Sequence, residues 1–165
     1  ALLNDFAIMS IAYDRVEYSR QPDRWRMSSV IGMASFLGLI GVVSSFGLLF
    51  IGLDYLHISK DILQSFMYLK LSVAGHLTIF IARCKGHFWS DRPSNILVGA
   101  VFGTQIVATL IAVYGILIPP IGWNLAAIVW LYAIGVFLIV DQLKVHYYRL
   151  FDEGLQFIEK RLNVY

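Results

Sequence analysis

Cysteine occurs once, at Cys84, and proline only four times in 165 residues. A single thiol excludes a disulfide framework and argues against redox chemistry. Flanked by Arg83 and Lys85, it is placed for palmitoylation, although a plain interfacial thiol is the simpler reading. Charge is scarce as well: 15% of residues are charged and 58% hydrophobic, with a mean hydropathy of +0.69. That balance excludes an ordinary soluble domain. His57, His76, His87 and His146 are scattered, with no i,i+4 pair and no carboxylate at ligand spacing, which argues against a metal site. The sequence holds no phosphate-binding glycine loop and no nucleophile–base motif. Its basic residues flank apolar runs instead of interleaving with aromatics, so nucleic-acid binding is not expected. No repeat or low-complexity stretch occurs.

What is present is lipid-compatible sequence. Runs at 31–53, 96–118 and 121–140 contain no ionisable residue, and a fourth at 62–82 contains Lys70 and His76. At ~1.5 Å per residue, roughly 20 residues cross the hydrocarbon core, so each run is long enough. The expected fold class is therefore all-α, a polytopic transmembrane bundle of four full spans preceded by a partial helix at 1–13 and followed by a tail at 142–165. The connections alternate in charge. Arg15, Arg20, Arg24 and Arg26 lie before the first full span; Arg83, Lys85 and Arg92 lie between the second and third; Lys144, Arg149, Lys160 and Arg161 follow the fourth. The other two connections hold only Lys60 or, at Pro119-Pro120, no base. Basic loops stay inside. Loops 14–29 and 83–95 and the tail are therefore expected on the cytoplasmic face.

Trp25, Trp89, Trp123 and Trp130, with Tyr55, Tyr147 and Tyr148, fall near span ends, as an interfacial aromatic belt would. The proline pair should stop one span and start the next in a tight hairpin. Phe151, Leu155, Ile158 and Leu162 recur at helical spacing among charges, which predicts a short amphipathic helix on the membrane surface. Gly99 with Gly103, and Gly38, Gly41 and Ser45, are candidates for close helix packing.

Ionisable residues at membrane depth are costly, so each is a candidate site. Asp5 stands beside Asn4 in an apolar run already under way at the first residue, and the chain reads as a piece of something longer. Asp5 either titrates in function or merely caps a broken helix. Lys70 is expected to snorkel toward the outer face or pair with an acid on another helix. His76, near mid-membrane, reads as a hydrogen-bonded packing residue, with a proton relay as the sharper alternative.

These residues carry a resemblance. Asn4-Asp5, Ile8 to Ile11 and Tyr13 to Val16, followed by Pro22-Asp23-x-Trp25, resemble the sixth transmembrane helix and exit of plasma-membrane proton-translocating P-type ATPases. The likeness continues through Leu69 to Thr78, Phe88-Trp89-Ser90-x-Arg92-Pro93 and Gly103 to Ile106, reaching about Asp152. The spans then look like the end of helix six followed by helices seven to ten.

The resemblance implies that Asp5 matches the family's proton-accepting and proton-releasing aspartate, with Asn4 orienting it. It also implies a proton as the transported partner, the rest of the same pump and the bilayer as further partners, and ATP and Mg as cofactors of the full-length enzyme. The family's Asp-Lys-Thr-Gly-Thr phosphorylation motif, its cytoplasmic domains and its partners for the acid on helices two and five are not in this stretch. This chain alone is therefore expected neither to hydrolyse ATP nor to pump, and to hold no catalytic residue; the regulation by a long inhibitory tail that some family members carry is not evident in it. A free-standing four-span accessory protein is the alternative. A calcium or sodium pump fits less well, because such ions need more oxygen ligands than these spans offer.

Overall fold

A computed structural model describes residues 2–14, 27–84 and 86–162, with the side chains of 2–4, 28, 29 and 150–162 outside the description. Arg15 to Arg26, Trp25 and Lys85 therefore lie outside the described residues, as do the tail side chains Phe151, Leu155, Ile158 and Leu162. The described residues form helices and no strand. A short helix α1 (Leu2–Met9) ends in one turn of 3-10 helix at Ser10–Tyr13. Next come α2 (Met27–Phe50), closed by a π-helical turn at Ile51–Tyr55, then α3 (Lys60–Ala82), α4 (Asn95–Tyr114) and α5 (Gly122–Leu162). Four of these helices are long and apolar enough to cross a membrane, which makes this the multi-pass bundle that the uncharged runs imply.

The central helix is α3, which touches α1, α2, α4 and α5. Its face carrying Phe66, Leu69 and Val73 is fully buried against Leu48, Ala112, Val129 and Ala133 of the surrounding helices. Toward the basic-loop end, Ile79 joins Leu97 and Val101 of α4 around Ala7 of α1, which is wholly buried. A residue as small as Ala7 lets the short helix lie close to its neighbours. Close packing elsewhere uses glycine differently from the sequence expectation. A Cβ added at Gly99 or Gly103 would meet nothing within 4 Å, so no described helix packs on that pair. The close approaches are at Gly32 and Gly47, where a Cβ would meet the hydroxyls of Tyr147 and Tyr132 at 2.6 and 2.8 Å.

Two helix ends depart from the sequence pattern. The run to Ile118 suggested a helix stopping at the prolines, yet α4 ends at Tyr114 because Gly115 takes a left-handed conformation, φ 75°. The amides of Gly115 and Ile116 both donate to the Ile111 carbonyl at 3.0 Å and close the last turn. Pro120 then packs where a Cβ on residue 115 would sit, 2.8 Å away. The other departure is α5, whose backbone stays helical from Gly122 through Leu162, with no turn between span and tail. The segment 141–153 has neither glycine nor proline to interrupt it. Its apolar part, 28 residues from Gly122 to Arg149, is about 42 Å long at the α-helical rise.

Candidate functional site

Asp5 and Ala7 sit about 200° apart around α1, given 100° per residue. With Ala7 buried against α3 and α4, Asp5 is turned to the outside of the bundle and is exposed. It makes no hydrogen bond or ion pair with the described residues. Asn4 lies on the same short helix, and its side chain is outside the description. The exit of α1 is held firmly. Ser10 Oγ donates to the Ala7 carbonyl at 2.6 Å, and Asp14 accepts from Arg83 Nε at 2.7 Å and from the Ser94 amide at 2.7 Å. Ser94 in turn caps α4, its hydroxyl accepting from the Leu97 amide at 3.1 Å.

Lys70 does not snorkel. It is 2% exposed, and its ammonium donates to Ser45 Oγ at 2.5 Å and toward the Gly41 carbonyl at 3.4 Å. No carboxylate among the described residues pairs with it. The reason is local to α2, where the Gly41 carbonyl and the Ser45 hydroxyl supply oxygen to the amine. A cavity of about 50 Å³ lies beside it, lined in part by Ser44 and Thr78 and roomy enough for water.

His76 is also 2% exposed. Its Nδ1 faces the Ser72 carbonyl at 2.7 Å and its Nε2 faces Thr104 Oγ1 at 2.9 Å. Both ring nitrogens are thus in hydrogen-bond contact, and around the ring runs a polar string through the interior. Ser72 Oγ donates to Gln105 Oε1 at 3.3 Å; Thr109 donates to the Gln105 carbonyl at 2.8 Å and accepts from Trp130 Nε1 at 3.2 Å. Trp130 is thus an internal, half-buried hydrogen-bond donor instead of a member of an interfacial belt. Gln105 Nε2 is buried without a partner.

A second ionic cluster was not foreseen. Asp141, 1% exposed, accepts from His87 Nδ1 at 2.9 Å, the Phe88 amide at 3.0 Å and Lys144 Nζ at 3.1 Å. Lys144, read from sequence as one more basic residue of the tail, is equally buried. It donates to the Ile81 and Cys84 carbonyls at 3.1 and 3.3 Å, neutralising the negative end of α3. His87, which has no carboxylate at ligand spacing in the sequence, meets one 54 positions away. It also stacks flat on Trp89, the ring centroids 4.3 Å apart. The one sequence signal was the Asp141–Lys144 spacing of three, which places both on one helix face. Cys84 is buried beside this cluster, and its thiol donates toward the His87 carbonyl at 3.3 Å. Burial pushes that thiol above the ordinary cysteine range, against the opposing pull of Lys144 and Arg83. No group of three metal-ligating side chains occurs among the described residues.

These observations define a multi-pass helical membrane protein with ionisable side chains at three levels of its interior and rim. No family model matches the chain. Individual proteins do. It is 46% identical over 146 residues to a Methanocaldococcus jannaschii protein that carries the name of a cation-transporting ATPase, a match covering 88% of this chain and 18% of that one. It is 33% identical over 154 residues to plasma membrane ATPase 1 of Saccharomyces cerevisiae, covering 85% of this chain and 16% of the relative. Plasma membrane ATPase 2 of Schizosaccharomyces pombe is 29% identical over 150 residues, with coverages of 85% and 15%. The chain is homologous to the P-type cation-transporting ATPases, and it spans less than a fifth of the length of these relatives.

Proposed function

We propose that this chain is the carboxyl-terminal membrane part of an ATP-driven, proton-exporting P-type pump. In this reading Asp5 takes up and releases the transported proton, Asn4 orients its carboxyl, and α2 to α5 form the scaffold. The observation that carries the reading is the similarity to cation-transporting and plasma membrane ATPases over most of the chain. The placement of Asp5 supports it. Its carboxyl is turned away from the scaffold, where it is open to a proton and to residues of the pump beyond this bundle.

The chemistry follows from environment. Burial in a low dielectric favours the protonated carboxyl, and solvation or a nearby cation favours the carboxylate. A conformational cycle that exchanges those surroundings loads a proton on one face and releases it on the other. Moving one charge against ~100 mV costs about 2.3 kcal/mol before any concentration gradient. An aspartyl-phosphate formed from ATP supplies that energy, with ATP and Mg held by parts of the polypeptide outside this chain. The proposed setting is the plasma membrane, with loops 14–29 and 83–95 and the tail 142–165 on the cytoplasmic face.

The test uses the native full-length polypeptide in sealed vesicles, with ATP-driven proton uptake as readout. Asp5→Asn is expected to lower transport at least about tenfold while the protein still inserts. Wild-type transport by that variant would overturn the role of Asp5. A native polypeptide of only 18.7 kDa with no co-purifying ATPase would instead favour a free-standing accessory protein.

A further inference from the structure

Lys70 is buried at membrane depth, has no part in the proposed role of Asp5, and makes fewer hydrogen bonds than its nitrogen can hold. Beyond its carbon, that nitrogen has three positions: three N–H in the ammonium, or two N–H and a lone pair in the free amine. Two are taken, by Ser45 Oγ at 2.5 Å and by the Gly41 carbonyl at 3.4 Å. Ser45 spends its own hydrogen on the same carbonyl, 2.8 Å away, and has none to give back. One position on the nitrogen is therefore left over in either protonation state, an N–H in one and a lone pair in the other. A carbonyl or carboxylate would serve only the first. Water, which both donates and accepts, serves either.

We propose that the cavity beside Lys70 binds a short file of ordered water, which gives the Lys70 nitrogen its third partner and reaches the basic-loop face through a crevice between α2 and α3. Lys70 lines that cavity of about 50 Å³ together with Ser44 and Thr78. At roughly 15 Å³ for each molecule, the volume takes about three waters. The polar lining suits them. Ser44 is 8% exposed, and its hydroxyl has no hydrogen-bond partner among the described residues. Thr78 donates its hydrogen to the Ala74 carbonyl at 2.8 Å, which leaves its oxygen able to accept. The cavity also continues. A crevice of about 590 Å³ shares its Leu37, Thr78 and Ile81 walls and runs past Gly38 to Ala82, Lys144 and Tyr148. This space follows from how α5 holds α2. It meets α2 closely in two places, Tyr147 on Gly32 and Tyr132 on Gly47, the same sequence distance apart on both helices. Between those contacts α2 stands off, and a Cβ on Gly38 or Gly41 would meet nothing within 4 Å. Toward the opposite face, Leu48 and Phe66 are fully buried in one packed cluster. An ionisable group at membrane depth is tolerated where it faces a water-filled cavity. An acyl chain in the same space would leave the third position of the nitrogen unserved.

The experiment takes the native full-length polypeptide in lipid nanodiscs with ¹⁵N-labelled lysine, the Lys70 Nζ signal being assigned by its loss in Lys70→Gln. Solid-state NMR measures magnetisation transfer from water protons to that nitrogen, and its deuterium exchange is timed after transfer to heavy water. Expected is direct water contact at Lys70 Nζ in the wild type. Gly38→Leu fills the crevice but not the cavity at Lys70. It is expected to slow the exchange about tenfold or more, whereas Val43→Leu, on the exposed side of the same helix, leaves the rate unchanged. A Lys70 nitrogen that receives magnetisation from lipid chains and none from water would overturn the proposal. Equal exchange in the wild type and Gly38→Leu would overturn the crevice as the route. The wild-type transfer alone decides the site should Gly38→Leu fail to fold. The readout needs neither ATP nor Asp5, so it is independent of whether the pump reading stands.

Discussion

At the scale of single residues, the strongest commitment lies in Asp141 and Lys144. Two buried opposite charges gain from each other only while both are present, and removing one strands the other. Asp141→Asn is expected to destabilise the bundle by roughly 3 kcal/mol or more in a detergent-denaturation measurement. Replacing both, as Asp141→Leu with Lys144→Met, is expected to recover much of that loss. If the double variant were as unstable as the single one, the carbonyl contacts of Lys144 would outweigh the ion pair. Cys84 gives a pH-dependent counterpart. Its thiol is held above the ordinary range chiefly by burial, so the folded state binds the thiol proton more tightly than the unfolded chain does. The resulting stabilisation is complete below the ordinary thiol range and is lost as pH rises through the raised value. Maleimide labelling of the folded protein is accordingly expected to be slow at neutral pH and to accelerate only in more alkaline solution. Fast labelling at neutral pH would contradict it. Asp5, Lys70 and His76 stood out in the sequence because each interrupts apolar residues. Asp141 and Lys144 did not, since a charge just after an apolar run looks the same whether it faces water or the interior. Only the contacts of Cys84, His87 and Phe88 with α5 distinguish the two.

At the scale of elements, uncharged length was enough to reveal four long helices, because the bilayer sets the minimum length of such a run. Helix ends were less legible. A proline pair drew attention as a stop signal, whereas Gly115, a single residue five positions before Pro120, sets the end of α4 through its positive φ. The two kinds of glycine should respond differently to the same change. Gly115→Ala is expected to cost roughly 1–3 kcal/mol through the left-handed backbone and the Pro120 contact. Gly99→Ala is expected to change stability by no more than about 0.5 kcal/mol, since nothing lies within 4 Å of its side-chain position. Thermal unfolding of the two variants side by side is the check, and equal losses would mean that Gly99 has a neighbour beyond the described residues. The Gly-xxx-Gly spacing misled because spacing alone cannot tell which side of a helix is covered. The tail was equally hard to separate from the last span, since amphipathic spacing continues along one helix as readily as it starts another.

At the scale of the whole molecule, two carboxylates from opposite ends of the sequence hold one connection. Asp14 binds Arg83 and the Ser94 amide, and Asp141 binds His87 and the Phe88 amide. Asp14→Ala removes an acceptor from a guanidinium that is 6% exposed. It is expected to raise hydrogen exchange at Ser94 and in the first turn of α4, leaving the amides around Ile111 protected. Unchanged exchange at Ser94 would show that its amide does not depend on Asp14. Neither clamp was visible in the sequence, where the partners lie 69 to 80 and 53 to 54 positions apart. The double grip also decides where this protein can be lengthened. An epitope tag or fluorescent domain inserted between Arg83 and Ser94 would have to separate anchor points fixed by different helices, and one clamp would open to make room. The segment 116–118, where Leu117 stands 95% exposed beside the end of α4, has no such double anchoring and is the natural place to graft one.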